Sequence, residues 1–244
     1  RQRQMCIRDS KETFEYYEKI SKQDNRIKVC KFDINYFNYS AIVNYGVECS
    51  NGEYIVMLNN DIEFITEDWI EQLLMYAQRP DVGICGAKLY FPDRSIQHAG
   101  VTLGTRGLAG HRCREVQEKD FKKDDYINIV QDLSAVTAAC FMVRKQLYID
   151  MLGFDEKLAV AFNDVDFCMK IRTAKYLIVY NPFVEAYHYE SKSRGEDTEN
   201  TEKQKRFAKE YELFVKRWSK VIAKGDPYYN KNLTLSKWNY SLRA

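Results

Sequence analysis

The stretch Gly52-Glu53-Tyr54-Ile55-Val56-Met57-Leu58-Asn59-Asn60-Asp61 constrains this chain more than any other. An apolar run from Tyr54 to Leu58 stops abruptly at three polar residues. A short run of apolar and β-branched residues closed by a turn signal fits a parallel strand covered on both faces. In open α/β sheets, ligands collect beyond the carboxyl ends of such strands. Asn59, Asn60 and Asp61 therefore stand where a ligand or a hard metal ion would be held. Taken alone they fit an ordinary loop equally well, because these residue types favour turns.

The rest of the chain alternates strand and helix signals around that stretch. Lys11–Ser21 has helical spacing, with Phe14, Tyr17 and Ile20 on one face, and Arg26–Phe32 reads as a strand. Phe37–Ser40 forms a turn that caps a helix through Cys49, and Asn51-Gly52 ends it in the left-handed conformation. Thr66 is the expected N-cap of a helix from Glu67 to Arg79, which turns Trp69, Leu73, Leu74 and Ala77 inward and stops at Pro80. Val82–Tyr90 and Ser95–Leu103 are strands on either side of a Pro92-Asp93 turn, and Arg112–Asp132 is a polar, mobile surface loop. Ala135–Val143 is a buried strand, Lys145–Leu152 a helix closed by Gly153, and Phe162–Asp166 opens a helix to Ala174. Tyr176–Tyr180 and Val184–Tyr189 complete the set. Such alternation predicts an α/β layered fold.

Composition narrows the possible functions. The 244 residues, 45% hydrophobic and 30% charged, suit one globular domain with an appendage. A net charge of +2 leaves no broad nucleic-acid footprint. The longest apolar run, Ala135–Val143, is about half the ~18 residues that would mark a membrane span. Seven cysteines, an odd number without a C-x-x-C pair, suit the buried reduced thiols of a cytosolic protein better than a disulfide or zinc framework. Gly104–His111 is glycine-rich but lacks the lysine of a phosphate-binding loop. Arg1–Ser10 has no periodicity and is set aside as a foreign or disordered leader. From Glu196 on, Phe207, Tyr211, Phe214, Trp218, Val221 and Ile222 recur at helical spacing. That stripe fits a helix packed on the domain; its alternative is a basic amphipathic surface meeting the inner face of a membrane or a partner.

Three stations remain: Asn59-Asn60-Asp61 at a strand end, Asn163-Asp164-Val165-Asp166 at a helix start, and His188 after a strand, the last of only three histidines with His98 and His111. Each has a bland reading. Asn163 suits an N-cap, acids suit a first helical turn, and a histidine can be a satisfied core residue. Their order is more specific. The segments GEYIVMLNNDIE, DVGICGAKLYF, IQHAG, SAVTAACFMVRK, GFDEKLAVAFNDVDFCMKIR and YHYESKSRG resemble the family 2 glycosyltransferases of the GT-A (nucleotide-diphospho-sugar transferase) fold. They are most similar to the bacterial, rhamnosyltransferase-like members that build surface polysaccharides, and the resemblance covers nearly everything from residue 11 onward.

The resemblance implies a D-x-D-type motif at Asn59-Asn60-Asp61, with Asp61 in the metal position and Asn59 replacing the first acid. It implies an E-D-x-D-type motif at Asn163–Asp166, with Asp164 as catalytic base, and a late metal-binding histidine at His188. Asp166 is a competing base, and Arg194 is a further secondary candidate. The implied cofactor is Mn²⁺ or Mg²⁺, with the imidazole tilting the choice toward Mn²⁺. The implied partners are a nucleotide-diphosphate sugar donor and a glycan or lipid-linked acceptor, joined by an inverting transfer. The strand–helix–strand with which this fold begins has no counterpart here. Residues 11–195 thus read as an amino-terminally truncated GT-A domain, followed by a helix and tail over 196–244. A non-catalytic pseudo-glycosyltransferase serving as a binding module is the competing expectation. A nucleotidyltransferase would need a glycine-rich basic loop that the chain lacks.

Overall fold

Which strand ends meet depends on how the apolar runs pair. The computed structural model describes residues 11–32, 36–122, 125–189, 201–237 and 240–243. In chain order these form α1 (Lys11–Gln23), α2 (Tyr39–Cys49), β1 (Tyr54–Leu58), β2 (Ile62–Phe64), α3 (Trp69–Ala77), β3 (Val82–Tyr90), β4 (Ile96–His98), β5 (Val101–Leu103) and β6 (Ala109–His111). They continue as β7 (Gln131–Asp132), β8 (Cys140–Arg144), α4 (Lys145–Asp150), α5 (Asn163–Thr173), β9 (Leu177–His188) and α6 (Thr201–Ile222). The main sheet runs β1-β8-β3-β9-β2, with β4 on β3 and β7 on β9, while β5 and β6 pair separately. β3 and β9 are parallel; the other pairings of this sheet are antiparallel.

β3 is the hub, buried along its whole length. At Gly86 an added Cβ would lie 2.7 Å from Val136, so only glycine lets that segment approach the strand. One sheet face carries the larger core, where Phe141, Tyr148, Phe154 and Phe167 pack with Phe214 and Trp218 of α6. The other face sets Leu73 and Ala77 of α3 against Cys85, Ala87, Leu89 and Val179. Each large apolar side chain so buried contributes about 1.5–3 kcal/mol. Within the α6 stripe Phe214 and Trp218 are buried against the domain, whereas Phe207, Tyr211 and Val221 are exposed. No described helix is long and apolar enough to cross a membrane.

Several local expectations yield to tertiary packing. β1 is neither parallel nor covered on both faces. Among the described residues it pairs only with β8, antiparallel, and all of it but Met57 is half-buried. An apolar run records a demand for burial, not strand direction. Arg26–Phe32 forms no strand, because no described strand lies alongside to complete a ladder. In α1, Tyr17 is buried while Phe14 is exposed. Asn38 caps α2 by accepting from the Ala41 N–H at 3.0 Å, but the other end is closed by Ser50 in extended conformation, not by Gly52. Thr66 caps nothing: its hydroxyl donates to the Phe183 carbonyl and accepts from the Glu185 N–H, tying the chain to β9, and α3 begins behind Asp68.

The strand expected over Ser95–Leu103 breaks at Gly100, whose φ is 92° and where an added Cβ would lie 2.0 Å from the Leu133 side chain. Of the Ala135–Val143 run only the part from Cys140 on is strand, within β8. The two strands expected after Tyr176 fuse into β9 through a register shift opposite Ala87 and Lys88. Arg112–Asp132 is anchored, not loose. Cys113 and Ile127 are fully buried, and the Arg112 guanidinium lies 5.4 and 4.9 Å from the Tyr126 and Tyr240 ring centres. Arg1–Ser10 and Arg194 lie outside the described residues.

Candidate functional site

Strand register brings the first and last stations together. β2 follows directly on Asp61 and pairs with β9 so that Ile62 stands opposite His188. The Asp61 carbonyl accepts the Tyr189 N–H at 3.0 Å, and the Asn59 N–H donates to Ala139 at 3.0 Å. The polar end of β1 is thus pinned between β9 and the chain entering β8. Asn59, Asn60, Asp61, Asp164 and His188 all line one cleft, of about 1110 Å³, together with Tyr39.

Inside it, Asp61 Oδ1 lies 3.2 Å from His188 Nε2, and Asn59 Nδ2 lies 3.2 Å from the same nitrogen. The Asn59 side-chain oxygen accepts from the Tyr39 hydroxyl at 3.2 Å. Asn59 thus links Tyr39 to the imidazole. Burial acts to raise the Asp61 pKa, but the adjoining His188 imidazole outweighs it and holds the carboxyl below its usual range. Burial first, then the charges of Asp164, Tyr148 and Asp61, push the Tyr39 phenol up, so it remains a donor.

Helix α5 presents Asp164 to the same cleft. The helix starts behind Phe162, which adopts a left-handed φ of 64°, so Asn163 is not the N-cap. Asn163 is instead buried and donates to Ser40 Oγ at 3.1 Å. Asp164 Oδ1 accepts the Val165 N–H at 2.8 Å and Oδ2 the Ala138 N–H at 3.2 Å. Each oxygen keeps lone-pair capacity toward the cleft. Asp166 is different. It is fully buried, and its Oδ1 accepts from Arg217 Nη1 at 2.6 Å and Trp218 Nε1 at 2.8 Å. A carboxylate so enclosed cannot reach an acceptor, so Asp166 is no competing base.

The residues present fit a hard divalent ion on one specific ground. Asp61 Oδ1 is buried without a hydrogen-bond donor and faces an imidazole nitrogen. Two cis ligands of an octahedral ion at ~2.1 Å lie about 3 Å apart, close to the observed separation. Among the described residues no three His, Cys, Asp or Glu side chains converge on one point. Mg²⁺ and Mn²⁺ sites commonly complete their shell with water and substrate phosphate, so two protein ligands suffice.

Sequence reasoning missed Tyr39, which looked like part of a capping turn, and two residues of β4. His98 is fully buried, with Nδ1 2.9 Å from His111 Nδ1 and Nε2 accepting the Thr137 N–H at 3.3 Å. It thereby steadies the segment whose next N–H holds Asp164. Its neighbour Gln97 contacts His188 itself. The sequence signals for both were the polar Gln-His pair inside an apolar strand and its place in the IQHAG segment.

Residues 6–152 match the family model described as Glycosyl transferase family 2. The chain is 41% identical over 235 residues to the uncharacterized protein y4gI of Sinorhizobium fredii, covering 96% of this chain and 25% of that one. It is 34% identical over 209 residues to the O-antigen biosynthesis protein RfbC of Myxococcus xanthus, covering 85% of this chain and 16% of that one. The chain thus spans a quarter or less of the length of these relatives. Among solved structures, GalNAc-T7 with UDP, GalNAc and Mn²⁺ aligns with a TM-score of 0.66 at 13% identity, covering 88% of this chain and 41% of that one, a likeness of fold. The family match extends over more than half of the chain and the sheet has the GT-A arrangement, so this chain belongs to glycosyl transferase family 2.

Proposed function

We propose that this domain transfers a sugar from a nucleotide-diphosphate donor to a hydroxyl of a glycan or lipid-linked acceptor, with inversion, in surface polysaccharide synthesis. The observation that carries the reading is the convergence of Asp61, His188 and Asp164 on one cleft, with an Asp61 oxygen left without a donor. Family membership and the O-antigen relative support the reaction class, and a fold neighbour solved with UDP and Mn²⁺ supports the donor and metal class. Asp61 and His188 would hold the ion, Mn²⁺ or Mg²⁺, whose chemistry is to neutralise charge on the leaving diphosphate.

The chain's own groups do the rest. Asp164 accepts the acceptor hydroxyl proton as that oxygen bonds to the anomeric carbon. The bond from that carbon to the diphosphate oxygen breaks, and its electron pair leaves with the nucleotide diphosphate. Attack opposite the leaving group inverts the centre, so one base suffices and no covalent intermediate is required. Tyr39 keeps Asn59 turned toward the imidazole.

Transfer and donor titration with UDP-, GDP- and dTDP-linked sugars under saturating Mn²⁺ test this division of labour. Asp164→Asn should lower turnover by about 10²–10⁴-fold with donor binding retained. Asp61→Ala should weaken donor binding itself. Wild-type turnover in Asp164→Asn, or unchanged donor binding in Asp61→Ala, would refute the corresponding role.

A further inference from the structure

We infer that Gln97 is a positioning residue that fixes the tautomer of His188 and keeps its Nε2 lone pair turned to Asp61, open to a divalent cation. The inference rests on the metal-site reading above and goes beyond it by naming what prepares the imidazole. Gln97 lies on β4, 2% exposed, and grips His188 at two points. Its Nε2 donates to the His188 carbonyl at 3.3 Å, and its Oε1 lies 2.6 Å from His188 Nδ1.

The orientation of this amide is forced. A carbonyl oxygen only accepts, so the amide nitrogen must face it. The amide oxygen is then left facing Nδ1, and since it too only accepts, Nδ1 carries the proton. A neutral imidazole protonated on Nδ1 has its lone pair on Nε2. The placement of Asn59 agrees: with its Nδ2 3.2 Å from that nitrogen it donates to Nε2, leaving its oxygen to the Tyr39 hydroxyl at 3.2 Å.

Asp61 Oδ1 thus faces an acceptor and has no donor of its own. Two lone-pair atoms 3.2 Å apart suit a shared cation. Without Gln97 the ring is free to place its proton on Nε2 and donate to Asp61. The pair would then seal itself, and an incoming ion would have to displace that proton. Partners on the remote nitrogen of a ligating histidine typically change metal affinity by about 10–100-fold.

The test uses the ¹⁵N-labelled chain without metal, reading the His188 ring nitrogens by NMR, together with titration of Mn²⁺ alone followed by electron paramagnetic resonance. Wild type should show a protonated Nδ1 and an unprotonated Nε2. Gln97→Leu, or Gln97→Met should the first fold poorly, should shift the proton toward Nε2 and weaken Mn²⁺ binding about 10–100-fold. His188→Ala should abolish tight Mn²⁺ binding. A wild-type ring protonated on Nε2 overturns the inference without any variant. Unchanged tautomer and Mn²⁺ affinity in Gln97→Leu, with His188→Ala impaired, overturns the role of Gln97 alone. Unchanged Mn²⁺ affinity in His188→Ala overturns the metal site, and the inference with it.

Discussion

Asp164 and Asp166 are separated by one residue, yet they belong to two different regions of the molecule. Residues two apart on an α-helix point about 200° apart, so one aspartate faces the cleft and the other the interior. On the cleft side Asp164 takes only main-chain N–H groups, and Asp61 keeps an oxygen with no donor. On the packed side Asp166 takes Arg217 and Trp218, Arg217 also holds Asp155 at 2.6 Å, and Glu210 of α6 accepts the Val160 and Ala161 N–H groups. Phe214 stacks on Phe162 with ring centres 5.1 Å apart, at the turn where α5 begins. One region leaves acceptor capacity open to the cleft; in the other Asp166 Oδ1 takes two donors, and Oδ2, without a hydrogen-bond donor, faces Lys170 Nζ at 3.6 Å. An oxygen open to a cleft is available for chemistry, whereas one enclosed in the core holds the backbone that presents it.

The comparison should be most visible in stability. Asp166→Ala leaves the Trp218 N–H without its acceptor and Arg217 with Asp155 alone. Arg217 retains some solvent, so the loss should be about 2–4 kcal/mol, below the full cost of a deeply buried broken pair. Asp164→Asn should change stability by less than about 1 kcal/mol, since an amide oxygen can still accept a main-chain N–H. Urea denaturation of the two variants checks this directly, and equal losses would break the distinction between the regions.

Acid should separate them next. Burial first, then the neighbouring charges of His111, Arg112, His188 and Arg114, push the His98 imidazole well below its usual 6.5. Its folded pKa lies below the unfolded one, so between the two the unfolded chain binds the extra proton. Stability is complete above 6.5 and falls as pH drops below it, by up to about 1.4 kcal/mol per pH unit. For Asp155, burial acts upward, but the Arg217 hydrogen bond outweighs it and the carboxyl lies below its usual 3.8. That contribution is present above 3.8 and is lost only as pH falls through the lower folded value. The β4 side should therefore weaken in mild acid while the α6 corner holds. Denaturation at pH 7.5 and 5.5, in wild type and His98→Gln, reads this. A loss of equal size in both proteins would remove His98 as its cause.

The smallest effect sharpens the packed corner alone. Trp218→Phe keeps the ring and deletes one donor to Asp166, so it should lower stability by about 1–2 kcal/mol, less than Asp166→Ala. A loss as large as that of Asp166→Ala would make the indole N–H, and not Arg217, the main partner.

Much of this was legible along the chain. The largely apolar β3, the helical spacing of α6 and the polar stop after Leu58 are periodic or abrupt over a few residues, and such patterns survive in a sequence. The stations around Asp61, Asp164 and His188 could be named because chemistry-bearing residues interrupt apolar runs. The strand expected over Arg26–Phe32, the cap expected at Thr66 and the loop expected over Arg112–Asp132 were not legible. Each depended on what another part of the chain would place beside it.

By itself, then, the sequence determined the α/β alternation, the burial of the central runs and the residue types offered at each strand end. Only the tertiary structure decided that β1 runs against β8, that Asn59 links Tyr39 to His188, and that Asp166 belongs to the core. It alone joined Gln97 to His188 and His98 to Thr137. The physical reason is the range of the forces involved. Backbone period and side-chain hydropathy act between near neighbours, whereas a buried donor or acceptor must be satisfied by whatever group folding brings within about 3 Å, however distant in the chain.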